Sequence, residues 1–88
     1  MISKGSVIVV SKVGLHARPA ADFVRAVETC RHEVTVSKAG KRVPGSSILG
    51  ILSLAAHQGE EIEIEVTGPN SDEVLAMLIA VVGQAKTQ

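Results

Sequence analysis

The chain of 88 residues is almost empty of aromatic side chains: Phe23 is the one phenylalanine, and there is neither tyrosine nor tryptophan. That removes the stacking platforms on which single strands and unpaired RNA bases are held, and it leaves sugar binding by aromatic stacking equally unsupported. A single cysteine, Cys30, rules out an internal disulfide and a multi-cysteine zinc site. Its plainest role is that of a small residue near a helix end, and its free thiol suits a reducing compartment. Nine basic residues balance nine acidic ones, so no basic field exists to draw in nucleic acid or an acidic membrane. No stretch approaches the roughly eighteen apolar residues of a membrane span. The first residues, Met1-Ile2-Ser3-Lys4-Gly5, lack the small-residue cleavage pattern of a leader. The expectation is one cytoplasmic, monomeric domain over residues 1–88, with no nucleic-acid partner and no membrane insertion.

What is present is regular patterning. Residues 6–11 are rich in β-branched side chains and predict a strand. From Ala17 onward, Ala20, Phe23, Val24 and Val27 fall on one helical face, with Asp22, Arg25 and Glu28 opposite. That helix should fail near residues 29–32. Val34 and Val36 then alternate with polar neighbours, Ala39-Gly40 suits a hairpin turn, and Lys41 to Val43 form a return strand stopped by Pro44-Gly45. Ser46 or Ser47 can cap a short helix to Leu52 or Ser53. Ile62, Ile64 and Val66 alternate with Glu61, Glu63 and Glu65, which makes residues 60–66 the clearest strand, its glutamates facing water. Asn70 with Glu73 three residues on forms a capping-box-like start for a helix with Val74, Leu75, Leu78, Val81 and Val82 on its stripe, and regular structure should end at about Gln84. The order βαββαβα is that of an α+β, two-layer sandwich.

The candidate site is Gly14-Leu15-His16-Ala17-Arg18-Pro19-Ala20. Pro19 in the first helical turn removes an amide that has no partner there, so the helix should begin near Ala17 with His16 at its cap. Free N–H groups and the positive dipole end of a helix favour anions, and Arg18 adds a planar cationic fork suited to phosphate. Both penalise a protonated imidazole, so the neutral, nucleophilic form of His16 should dominate at pH 7. A phosphohistidine fits this arrangement; so does a solvated cap histidine, which spacing alone favours. His32 and His57 have no ligand-like spacing to each other or to Cys30, so no metal site is expected, and surface or cap positions account for them. Glu60, Glu61, Glu63 and Glu65 are expected to be solvated.

The heptad Gly14–Ala20 resembles the active-site signature of the HPr family, histidine-containing phosphocarriers of the bacterial phosphotransferase system. Ser47-Ile48-Leu49-Gly50-Ile51-Leu52-Ser53-Leu54 resembles that family's regulatory-serine segment at the expected separation, and the likeness in length and element order covers essentially the whole chain. The resemblance reverses the odds at His16. It implies an open-faced sandwich on a four-stranded antiparallel sheet, and a carrier whose His16, through Nδ1, accepts a phosphoryl group from enzyme I and passes it to an enzyme IIA in sugar uptake. The residues alone do not choose between the ring nitrogens. In this reading the amides of Ala17 and Arg18 hold the phosphate, with the Arg18 guanidinium swinging onto it, and no cofactor, metal or turnover of its own is needed. Ile48, Leu49 and Leu52 would form a docking surface; the alternative is that all three cover the sheet. Ser47 matches the serine phosphorylated by HPr kinase/phosphorylase in many Gram-positive relatives, and the resemblance implies a transcriptional regulator as a further partner. Two positions depart from the pattern. Ser46, not lysine, precedes Ser47, which leaves Ser46 as a competing target, and Val13 stands where relatives often carry a small polar residue. A regulatory binding module with little use for the histidine, and a carrier in a specialised phosphotransfer chain such as nitrogen-related signalling or dihydroxyacetone phosphorylation, are the competing functions.

Overall fold

In a computed structural model of the protein, the residues described are 1–12, 14, 15 and 17–85. Its elements are β1 (Ile2–Val9), α1 (Ala17–Cys30), β2 (Glu33–Lys38), β3 (Lys41–Pro44), α2 (Ile48–Ser53), β4 (Glu61–Thr67), α3 (Ser71–Val82) and a short β5 (Gly83–Ala85). The sheet order is β3-β2-β4-β1-β5, antiparallel at every pair. The four expected strands form the open-faced α+β sandwich, and β5 adds three residues to the outer edge of β1.

Period-two alternation puts Val7, Val9, Val34, Val36, Val43, Ile62, Ile64 and Val66 on one face, all buried. Ala20, Phe23 and Val27 of α1, Ile51 of α2, and Leu78 and Val82 of α3 close over them in a single core. Val74 and Leu75 are half-buried, while Val81 at the margin of the α3 stripe is exposed. The β2–β3 turn has φ of 50° at Ala39 and 87° at Gly40, two left-handed residues in a two-residue loop that matches the right-handed strand twist.

Three local expectations need correction. The first strand starts at Ile2, four residues before the β-branched run. Its inner face begins with Ser3 and Gly5, which carry no hydrophobic signal: Ser3 Oγ lies 2.7 Å from the buried Ser71 Oγ, and a Cβ at Gly5 would stand 3.3 Å from both Leu75 and Ile79, so α3 lies close against β1. Asn70 does not cap α3 with its side chain. It adopts a left-handed conformation (φ 55°, ψ 38°) after Gly68-Pro69, which short amide side chains tolerate. The first turn is served instead by the Asn70 carbonyl, which accepts from Glu73 N and Val74 N, and by Asp72 Oδ1, which accepts from Glu73 N. Finally, Gln84 does not end regular structure, because Ile8 and Gln84 are partners in the β1–β5 ladder.

Candidate phosphoryl-acceptor site

The segment leading to His16 is fixed by backbone bonds on both sides of its glycine. Gly14 has φ 72°, a region in which a side chain is strained, and its N–H donates to the Ser11 carbonyl at 2.9 Å. Leu15 follows with 1% of its surface exposed, and its N–H donates to the Ala56 carbonyl at 2.8 Å. Helix α1 then starts at Ala17 as expected, with Pro19 in its first turn. The first turn contains no acidic residue, so no carboxylate offsets the positive end of the dipole. Arg18 is exposed, and its guanidinium has no ion-pair partner among the described residues. His16 and Val13 lie outside the described residues.

The second block is brought to the first by that same Leu15–Ala56 bond, since Ala56 sits three residues beyond α2. Ser47 caps α2 from an extended conformation (φ −103°, ψ 110°), its Oγ accepting from Gly50 N at 3.0 Å. Ser46 is exposed and Ser47 half-buried. Of the three candidate docking residues, Leu49 is 77% and Ile48 38% exposed, whereas Leu52 packs against the core. The structure therefore separates them: two apolar side chains face solvent, and the third is largely a sheet-covering residue.

Comparison with known proteins bears directly on this pairing. The family model described as the PTS HPr component phosphorylation site matches residues 3–84. The chain belongs to the HPr family. It is similar to the phosphocarrier protein HPr of Neisseria meningitidis serogroup A, with 39% identity over 75 residues, covering 85% of this chain and 84% of the relative. It is similar also to the phosphocarrier protein NPr of Escherichia coli, with 35% identity over 81 residues, 91% of this chain and 90% of the relative. Among solved structures, that of a phosphocarrier protein HPr from Bacillus anthracis matches with a TM-score of 0.87 and 40% identity, covering 92% of this chain and 96% of that one. Membership of the HPr family supports a phosphocarrier role in the phosphotransferase system, alongside its enzymes.

Beyond the family's two blocks, the structure reveals a polar cluster that the sequence does not announce. Lys38 Nζ donates to the Leu54 carbonyl (3.2 Å), the Ala55 carbonyl (2.9 Å) and Glu60 Oε1 (2.9 Å). The same Glu60 oxygen accepts from the His57 N–H at 2.7 Å and lies 3.2 Å from His57 Nδ1. The Lys38 ammonium, then the His57 N–H, hold the Glu60 carboxyl down to about 2. Glu60 is thus a structural partner and not a solvated member of the glutamate series, and Glu65 likewise pairs with Arg42 at 3.7 Å. The one legible sign was that Glu60 and Glu61 are adjacent, so both cannot belong to one face of an alternating strand.

His32 occupies the other end of α1. Its Nδ1 lies 2.7 Å from the Cys30 carbonyl and its Nε2 2.6 Å from the Pro69 carbonyl. The Pro69 and then the Cys30 carbonyl raise its pKa above 6.5. Cys30 Sγ donates to the Val27 carbonyl, in keeping with a small residue near a helix end. Two surface clefts, one along β2 and β3 and one beside Met77 between α1 and α3, are lined by none of Gly14, Leu15 and Arg18. Among the described residues no three His, Cys, Asp or Glu side chains converge as a metal site, and no helix is long and apolar enough to cross a membrane.

Proposed function

We propose that residues 1–88 act as one cytoplasmic phosphocarrier domain that takes a phosphoryl group from phospho-enzyme I onto His16 and hands it to an enzyme IIA. The observation that carries this reading is the placement of position 16 between Leu15, a core residue pinned by the Ala56 carbonyl, and Ala17, the first residue of α1. Its two neighbours are thus set at the anion-favouring end of a 14-residue helix, which supports a phosphoryl group being accepted between them. The lone pair of the unprotonated ring nitrogen, Nδ1 in this reading, attacks the donor's phosphorus; the bond between that phosphorus and the donor group on enzyme I breaks, and its electron pair returns to the donor group. The helix's first free amides, those of Ala17 and Arg18, and the Arg18 guanidinium balance the charge of the transferred group. An exposed guanidinium, not enclosed in a cage, suits holding the cargo without trapping it.

Docking is assigned to Ile48 and Leu49, with Leu52 supporting them from below. Ser47 is proposed as the target of an HPr kinase/phosphorylase, the modified form being read by enzyme partners or a transcriptional regulator. A phosphate at Ser47 adds about −1.5 to −2 charges beside Ile48 and Leu49, so it acts on partner choice. The broad likeness to NPr, which spans 91% of the chain, favours as a second reading a parallel phosphotransfer chain in place of sugar uptake; the set of IIA proteins that accept the phosphate separates the two.

Incubation with enzyme I, magnesium and phosphoenolpyruvate should add one acid-labile phosphoryl group by intact mass. The group should be lost in His16→Ala and added more slowly in Arg18→Ala. An unmodified chain beside an active cognate enzyme I refutes the proposal. Phosphorylation by a cognate HPr kinase should vanish in Ser47→Ala; its loss in Ser46→Ala instead relocates the regulatory serine.

A further inference from the structure

We infer that Lys38 and Glu60 are positioning residues for phosphoryl acceptance, acting on His16 through the Ala56 carbonyl. This rests on the reading of His16 given above. Ala56 is the residue to which the approach to the site is tied, because its carbonyl takes the Leu15 N–H at 2.8 Å and Leu15 precedes His16 by one peptide bond. The loop that presents this carbonyl is not held by its own backbone preferences. Ala55, immediately before it, has φ 50°, a left-handed conformation that costs a residue with a Cβ about 1–2 kcal/mol and that helix ends usually give to glycine.

Lys38 and Glu60 clamp both flanks of Ala56. On one side the Lys38 ammonium draws in the Leu54 and Ala55 carbonyls, the negative end of α2. On the other, Glu60 takes the His57 N–H. The ion pair between them, 2.9 Å long, closes the ring. The Lys38 side chain is only 20% exposed and Glu60 40%, so the bonds are better shielded than those of a free surface pair. The loop is tied to the sheet as well, through Gly59 N to the Val9 carbonyl, Val9 N to the Glu60 carbonyl, and Gln58 Nε2 to the Val10 carbonyl. Those bonds fix its far end, and backbone bonds from Ala55 N to the Leu52 carbonyl and from Glu60 N to the His57 carbonyl close the turns on either side; the Lys38–Glu60 clamp joins the two flanks of Ala56 to each other. With the clamp open, Ala55 relaxes, the Ala56 carbonyl turns, and Leu15, the residue before His16, loses its backbone partner. Neither Lys38 nor Glu60 needs to touch the phosphoryl group.

The test compares the full chain with Glu60→Ala, Lys38→Met and Glu60→Gln, and with Arg42→Ala as a control that breaks a surface ion pair elsewhere. Amide exchange at Leu15 and steady-state transfer from enzyme I are measured on each. In Glu60→Ala and Lys38→Met, Leu15 should exchange about tenfold faster, and kcat for acceptance should fall about tenfold while KM for the carrier, set by the α2 surface, stays the same. Glu60→Gln, which keeps an acceptor, should recover part of both. Arg42→Ala should match the parent. If Glu60→Ala does not fold, Lys38→Met, which keeps the apolar stem, carries the test. Folded variants with the parent's Leu15 exchange, or the parent's kcat, overturn the inference. Failure of the parent chain to take phosphate instead overturns the reading of His16, and the positioning role with it.

Discussion

Both ring nitrogens of His32 meet carbonyl oxygens, and a carbonyl only accepts, so the ring serves both bonds only as the doubly protonated imidazolium. Its folded pKa is raised, so the stability these bonds contribute is complete below the unfolded value near 6.5 and is lost as pH rises through the folded value. The melting temperature of the parent minus that of His32→Ala should therefore be largest at about pH 5.5 and shrink towards about pH 9; a constant difference contradicts the assignment. Phe23, the lone aromatic, is fully buried in the core. Phe23→Ala should cost about 3–5 kcal/mol in denaturant unfolding. The same scale explains what could be seen in advance: Gly14, Leu15, Arg18 and Pro19 are contiguous with His16, so their chemistry is legible in order. Lys38 and Glu60 are 22 residues apart and meet only because β2 and the lead-in to β4 are neighbours.

Among the elements, the β2–β3 hairpin carries a removable strain. Ala39 is left-handed with φ 50° at a position that favours asparagine, so Ala39→Asn should stabilise the protein by about 1 kcal/mol, read as a rise in denaturant midpoint at constant slope. Ser47→Ala should cost about 1 kcal/mol through loss of the Gly50 cap bond, an effect to be measured before any phosphorylation phenotype of that variant is interpreted. The clamp beneath the site has its own pH signature. Glu60 is held down to about 2, so its contribution is complete above the ordinary carboxylate range and fades only as pH falls through about 2. Elements with a strong period, α1, β2 and β4, declare themselves in the sequence. The start of β1 does not, because Ser3 and Gly5 occupy its inner face, and neither does β5, whose three residues are too few for a period.

Taken whole, the molecule gathers at one end the two segments that family resemblance singled out. The bond between Leu15 and Ala56 joins the heptad Gly14–Ala20 with the loop that leaves α2, so Leu15 and the exposed Leu49 surface belong to one connected region. In the proposed function, phosphorylation at Ser47 would change which partner approaches and leave the proposed acceptor, His16, unmodified. The balanced net charge leaves partner choice to this local surface and not to a long-range field. A carrier differs from a phosphatase in what happens next: the phosphoryl group must leave to another protein and not to water. The phosphorylated chain should therefore be isolated and mixed with a cognate enzyme IIA while protein-bound and inorganic phosphate are followed together. The account predicts that the label passes from His16 to the IIA protein with little inorganic phosphate released. Release to water at the rate of loss from the chain, or retention on the chain in the presence of every cognate IIA, would contradict it.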